Sequence, residues 1–266
     1  IAYVRLIFSP IESIGMEIQN IQSAIAGISR LKEFFAHPVE DQGATDDLTL
    51  TAPPLVIDDA AFSYGSESIF RHLSLSVKTG EIVTITGRTG AGKSTLFKLI
   101  LGLYAPKEGT IRVFGCKPAD LSPALRRQVF GYVEQQFHDV AGTVGDQVTL
   151  KDPRVSEEAV EKALRLVGLW DLCSALPEGL ETPFRQEFFS RGQLQLLSIA
   201  RAVVMNPRIL LDEITANLDA LTEQQVLTAL QAASQNRTVL SISHRLYEAQ
   251  GGRMVIMGTA KHGSPS

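Results

Sequence analysis

Lys93 and Ser94 close the run Gly87-Arg88-Thr89-Gly90-Ala91-Gly92-Lys93-Ser94-Thr95, where glycines stand at the points at which a chain must fold tightly around an anion. The pattern is G-x-x-x-x-G-K-[S/T]. Glycine lets the backbone turn successive N–H groups inward, and a helix beginning near Lys93 aims the positive end of its dipole at the same place. Phosphate is the anion this arrangement suits. The Lys93 ammonium would reach the β- and γ-phosphates of a nucleotide, and the Ser94 hydroxyl would coordinate the accompanying Mg²⁺. The strand-like run Ile82-Val83-Thr84-Ile85-Thr86 stands directly before the loop, which is the context this motif requires.

Kinases, GTPases and ATPases all use such a loop, so the residues downstream decide between them. Ile209-Leu210-Leu211-Asp212-Glu213 reads as a short buried strand that ends in adjacent carboxylates. Asp212 suits the Mg²⁺ shell and Glu213 suits polarising an attacking water, a pairing that favours hydrolysis. Upstream of it, Phe189-Ser190-Arg191-Gly192-Gln193 precedes a helical pattern through Leu196, Ile199, Ala200 and Ala202.

The elements that must position these groups follow from periodicity. Strand signals fall at 55–63, 70–77, 81–86, 109–114, 129–134, 208–212, 237–242 and 253–257, with helices at 93–103, 191–205 and 220–233. A mainly helical insert at 155–180 carries Val160, Leu164, Leu166, Val167 and Leu169 on a largely apolar face. Alternating strands and helices predict an α/β layered core. Before it, residues 11–35 place Ile11, Ile14, Ile18, Ile21, Ile25, Ile28 and Phe35 at steps of three, four and seven, the stripe of an amphipathic helix. Pro10 is expected to kink the chain there. Residues 37–54, rich in Asp, Thr, Gly and Pro, read as a linker, with the domain boundary near residue 45.

Composition sets outer limits. A chain of 266 residues with 44% hydrophobic content can bury a real core, and a net charge of −4 gives no sign of a nucleic-acid surface. Cys116 and Cys173 lack metal-ligand spacing and fit a reducing compartment. No apolar run reaches the length of a membrane span, and the start at Ile1 is neither an initiator Met nor a signal peptide, so the chain reads as a fragment. The small, polar tail at 258–266 reads as frayed.

The order of phosphate loop, Ser190-x-Gly192-Gln193, Asp212-Glu213, Asn217-Leu218-Asp219 and Ser243-His244 resembles the nucleotide-binding domain of ATP-binding cassette (ABC) exporters over about residues 45–257. The resemblance implies an α/β P-loop NTPase core with an antiparallel β subdomain and a helical subdomain at about 143–195, preceded by an N-terminal amphipathic helix. It implies ATP and Mg²⁺ as ligands, with Gly87 through Thr95 holding the phosphates and Ser94, Gln135 and Asp212 around the metal. Glu213, His244 and Gln135 become the catalytic set: Gln135 matches the glutamine that senses metal and water, and His244 the histidine that contacts the γ-phosphate. Tyr64 matches the aromatic that stacks on adenine, and Asp219 the acid that signals across the dimer. Ser190, Gly192 and Gln193 match the signature that closes over a partner's ATP, so each site is expected to need a second nucleotide-binding domain, identical or not.

Residues 1–40 are similar to the end of an exporter's last membrane helix with its cytoplasmic extension and linker, and residues 45–266 to the ATPase domain. That implies a transmembrane domain as partner and a place on the cytoplasmic side of a cell membrane, with nucleic acid not expected. A soluble or importer-type ATPase, and an ATP-binding switch with weak turnover, remain as alternatives. Arg191 stands where the signature usually has glycine. The hydrophobic run before Asp212, counted from Pro207, is one residue shorter than usual, which predicts a shifted or bulged strand at 208–212. The chain ends 22 residues after His244, where such domains commonly continue, which implies truncation.

Overall fold

The computed structural model describes residues 2–36 (residues 2–13 as backbone), 43–214, 219–242 and 251–258. The chain divides into two compact units, Ile1–Asp41 and Gln42–Ser266. The first contains a single long helix, α1 (Ala2–Ala36), which runs unbroken through Pro10 although proline removes a backbone donor from the ladder. Along it Ile14, Ile18, Ile21, Ile25, Ile28 and Phe35 are between 51% and 77% exposed. Among the described residues no helix is long and apolar enough to cross a membrane.

In the second unit β1 (Leu55–Tyr64) and β2 (Glu67–Val77) pair as a hairpin, and β3 (Ile82–Thr86) leads through the glycine loop into α2 (Lys93–Ile100). β4 (Glu108–Arg112) returns antiparallel to β1. After α3 (Pro123–Val129) and β5 (Phe130–Val133) comes a helical stretch: α4 (Val144–Thr149), α5 (Glu157–Leu166), α6 (Trp170–Ser174) and α7 (Arg191–Val203). β6 (Ile209–Asp212), α8 (Ala220–Ser234), β7 (Thr238–Ser241) and β8 (Arg253–Ile256) follow. The antiparallel sheet has the order β2-β1-β4 and the parallel sheet the order β5-β6-β7-β3-β8.

The sequence explains why β6 and β7 lie inside the parallel sheet: every residue of both is buried, as strands covered on both faces require. Alternate side chains go to opposite cores. Ile209, Leu211 and Leu240 join the cluster that packs the antiparallel sheet and α2, while Leu210 and Val239 join the cluster under the helical stretch. The expected bulge is absent from β6. Residues 209–212 pair with 130–133 on one side and 238–241 on the other in unbroken register. Register shifts occur instead in β1, around Asp59, whose φ of 47° is left-handed.

Within the helical stretch Val160, Leu164, Val167 and Leu169 are buried, with Leu166 packed beside them. The helix expected at 93–103 stops at Ile100, because Gly102 at φ 78° turns the chain. α3 and α4, of seven and six residues, lie where sequence periodicity gives no helical signal. Thr45 is pinned to the domain: it bridges to Leu121, and the Ser122 N–H donates to Thr45 O at 3.0 Å.

Candidate functional site

β3 and β6 both end at the carboxyl edge of the parallel sheet, the edge at which open α/β sheets hold ligands. The loop that leaves β3 exposes Arg88, Thr89, Gly90 and Ser94, half-buries Gly87, Gly92, Lys93 and Thr95, and buries Ala91. Gly92 caps α2 at φ 87°, and a Cβ there would run into Ile69. Glycine is therefore required where the loop becomes a helix. Lys93 Nζ donates to Gly87 O at 2.9 Å and Arg88 O at 3.0 Å, so the ammonium spans the loop and, among the described residues, keeps one of its three donors.

At the end of β6 the adjacent acids part ways. Asp212 is fully buried, accepting from Ser241 Oγ at 2.6 Å and from the Ile214 N–H at 3.0 Å. Burial pushes its carboxyl up to about 6; the Glu213 charge adds to this, and the bonds from Ser241 and Ile214 oppose it. With the folded value above the ordinary one, this group favours the folded state below about pH 4, and that contribution is lost as pH rises through 6. A cation beside the ionised form offsets that loss.

Glu213 is 9% exposed and accepts on one oxygen from the Ser94 hydroxyl and on the other from the Tyr132 phenol. Its N–H donates to Val133 O at 3.0 Å, which fixes the start of the side chain against β5. Burial first, and then the bond to Glu213, push the Tyr132 phenol far up, so it stays a proton donor to that carboxylate. Tyr132 was not expected from sequence. Its role depends on β5 pairing with β6, which places Tyr132 opposite Leu211, and on an edge contact with Phe97 at 6.4 Å.

Gln135 is exposed just beyond β5, and its carbonyl accepts from Gln195 Nε2 at 2.7 Å. Gln195, buried within α7, is a second residue that sequence reasoning missed. Tyr64 ends β1, 38% exposed, with its ring edge-on to Phe62 at 5.0 Å and Tyr104 at 5.6 Å. His244 lies outside the described residues, as do Asn217, Leu218 and Ser243.

Ser190 caps α7 in a capping box: its hydroxyl accepts from the Gln193 N–H at 3.2 Å, and the Ser190 N–H donates to Gln193 Oε1 at 2.8 Å. Arg191, the first helical residue, is exposed, and Gly192 is buried. Asp219 caps α8 by accepting from the Thr222 N–H at 3.0 Å. The structure thus brings Lys93, Ser94, Asp212 and Glu213 to one sheet edge. Among the described residues, the bonds of Ser190, Gln193 and Asp219 stay within the starts of their own helices.

Residues 70–216 match the profile of the ABC transporter family. The chain belongs to that family. Around them the chain has the expected α/β core with an antiparallel sheet, and a helix precedes it in sequence. A probable multidrug resistance ABC transporter ATP-binding/permease protein of Bacillus subtilis is 30% identical over 259 residues, 96% of this chain and 38% of that protein. An alpha-hemolysin translocation ATP-binding protein of Escherichia coli O157:H7 is 32% identical over 256 residues, 94% of this chain and 36% of that protein. The chain therefore spans well under half the length of these relatives. A bacterial Atm1-family ABC exporter solved with ATP bound superposes with a TM-score of 0.73 at 30% identity, over 96% of this chain and 46% of that one.

Proposed function

We propose that this chain is the ATPase motor of an exporter-type ABC transporter, in which ATP binding closes a dimer of nucleotide-binding domains and hydrolysis reopens it. The observation that carries this is the cluster at the sheet edge: Glu213 held between the Ser94 hydroxyl and the Tyr132 phenol, beside a phosphate loop spanned by Lys93. A carboxylate fixed by two donors has one orientation in which to receive a proton from water, and orientation is most of what phosphoryl transfer asks of a protein.

In this reading Gly87 through Thr95 wrap the phosphates, and Lys93 turns its remaining donor and its charge to the β- and γ-oxygens. Glu213 orients the water, and Tyr132 holds Glu213. His244 would contact the γ-phosphate, and Tyr64 would offer its exposed ring to the adenine. The oxygen donors Ser94, Asp212 and Gln135 fit Mg²⁺, a hard cation that takes a few protein ligands and completes its shell with phosphate and water. The buried Asp212 carboxylate supports the fit, because a nearby cation offsets the cost of ionising it. Bound there, Mg²⁺ would neutralise charge that develops on the transferred phosphoryl group.

The starts of α7 and α8, with Ser190, Gly192, Gln193 and Asp219, would face the nucleotide of a second domain. The exposed Arg191 leaves the capping box intact, which supports turnover over a binding-only switch. Relatives named ATP-binding/permease and translocation proteins support a transmembrane domain as the coupled partner. The motor would then work at the cytoplasmic face of a cell membrane.

Lys93→Ala tests the phosphate-loop assignment directly. Nucleotide affinity, measured by calorimetry on the full-length protein, is expected to fall about tenfold or more. Affinity within about twofold of wild type, roughly 0.4 kcal/mol, contradicts the assignment.

A further inference from the structure

Thr222 stands where the starts of α7 and α8 meet, and its side chain works in two directions. Its methyl faces Gly192: a Cβ at position 192 would run into Thr222 Cγ2, while Thr222 Cβ at 3.4 Å and Oγ1 at 3.8 Å lie at ordinary contact. Its polar side faces Asp219. The Thr222 N–H donates to Asp219 Oδ1 at 3.0 Å, and its side-chain hydrogen bond is the first cause holding that carboxyl below its usual range.

Nothing in the backbone itself calls for glycine at 192. The residue is buried in the first turn of α7 and its φ lies outside the left-handed region, where alanine is the better helix former. The steric demand comes from Thr222. We propose that Gly192 is glycine because of Thr222, and that this contact joins the starts of α7 and α8 into one rigid piece. Ser190 and Asp219 then meet a partner's nucleotide at a fixed separation. That consequence rests on the composite-site reading above, whereas the contact stands without it. Thr222 is a positioning residue: it acts through Gly192 and Asp219.

Three variants of the full-length protein test this: Gly192→Ala, Thr222→Ser and the double. Alanine keeps the backbone N–H that a phosphate would accept from, and serine keeps the hydroxyl for Asp219 while removing Cγ2. Gly192→Ala is expected to lower the melting temperature and to cut ATP turnover about tenfold, with nucleotide affinity of its own phosphate loop held within about twofold. Thr222→Ser is expected to stay within about twofold of wild type in turnover, and the double to regain its melting temperature and to turn over several-fold faster than Gly192→Ala.

A double variant as slow as Gly192→Ala overturns the proposal, since glycine would then be needed for backbone approach to the phosphate. So does a Gly192→Ala variant that melts and turns over like wild type. Where Gly192→Ala alone fails to fold, recovery of folded protein in the double carries the same test. Failure of the composite-site reading looks different: the melting temperature is lost and rescued as expected, while turnover is equal in wild type, Gly192→Ala and the double.

Discussion

At the phosphate loop the functional groups bond to one another across the fold, whereas at the starts of α7 and α8 their bonds to described residues stay within their own helices. Ser94 and Glu213 are 119 residues apart and Tyr132 and Glu213 are 81 apart, yet the three meet at the ends of β5, β6 and the glycine loop. Ser190 with Gln193, and Asp219 with Thr222, are each three residues apart. The first half is finished by the fold of one chain. The second is a pair of capped helix starts, locally satisfied and turned outward, α7 capped by the Ser190 hydroxyl and α8 by the Asp219 carboxylate. Proteins that need two copies to act can be built this way, with chemistry on one surface and its trigger on another.

The sharpest way to break the comparison is Glu213→Gln, which removes the carboxylate at the centre of the first half and leaves the second untouched. Turnover is expected to fall on the order of 10²-fold or more with ATP binding intact. Near-normal turnover in the purified full-length variant would show that Glu213 is not the base and leave His244 to take that role, with Gln135 orienting the water.

A milder change sharpens it. Tyr132→Phe keeps the ring against Phe97 and deletes only the phenol that steadies Glu213. Turnover is expected to drop about fivefold, near 1 kcal/mol, with nucleotide affinity unchanged. An unaltered rate would show that Ser94 alone orients the carboxylate.

The smallest effect belongs to the second half. Arg191→Gly removes an exposed cation from the first turn of α7, and activity is expected to stay within about threefold while its dependence on ionic strength changes. Turnover measured across a salt series checks this. A loss as large as that of Glu213→Gln would make Arg191 a catalytic cation, and the two halves would cease to differ in kind.

What the sequence made legible follows the same division. Local signals were enough for the glycine loop, for the buried runs that became β6 and β7, and for the Ser190 start of α7, because each is written in a few consecutive residues. Tyr132, Gln195 and Thr222 were not legible, since each acts through a neighbour brought close by strand order or helix packing. The short run before Asp212 misled: the expected bulge is absent because β5 and β7 hold β6 in register from both sides. α1 crosses Pro10 because a proline costs one local hydrogen bond, and helix extends on either side of it.

The central claim, that each ATP site is completed by a second chain, is tested most directly by ATP turnover in mixed dimers of the full-length protein, isolated through two different tags. In one mixture Glu213→Gln is in one chain and Ser190→Arg in the other; in the second, both substitutions sit in one chain beside a wild-type chain. Composite sites predict that the first mixture hydrolyses ATP, because one site still draws Glu213 and Ser190 from the two intact halves, and that the second does not. The reverse pattern, with the doubly substituted chain tolerated beside wild type and the separated substitutions inactive, would place each complete site within a single chain and contradict the account.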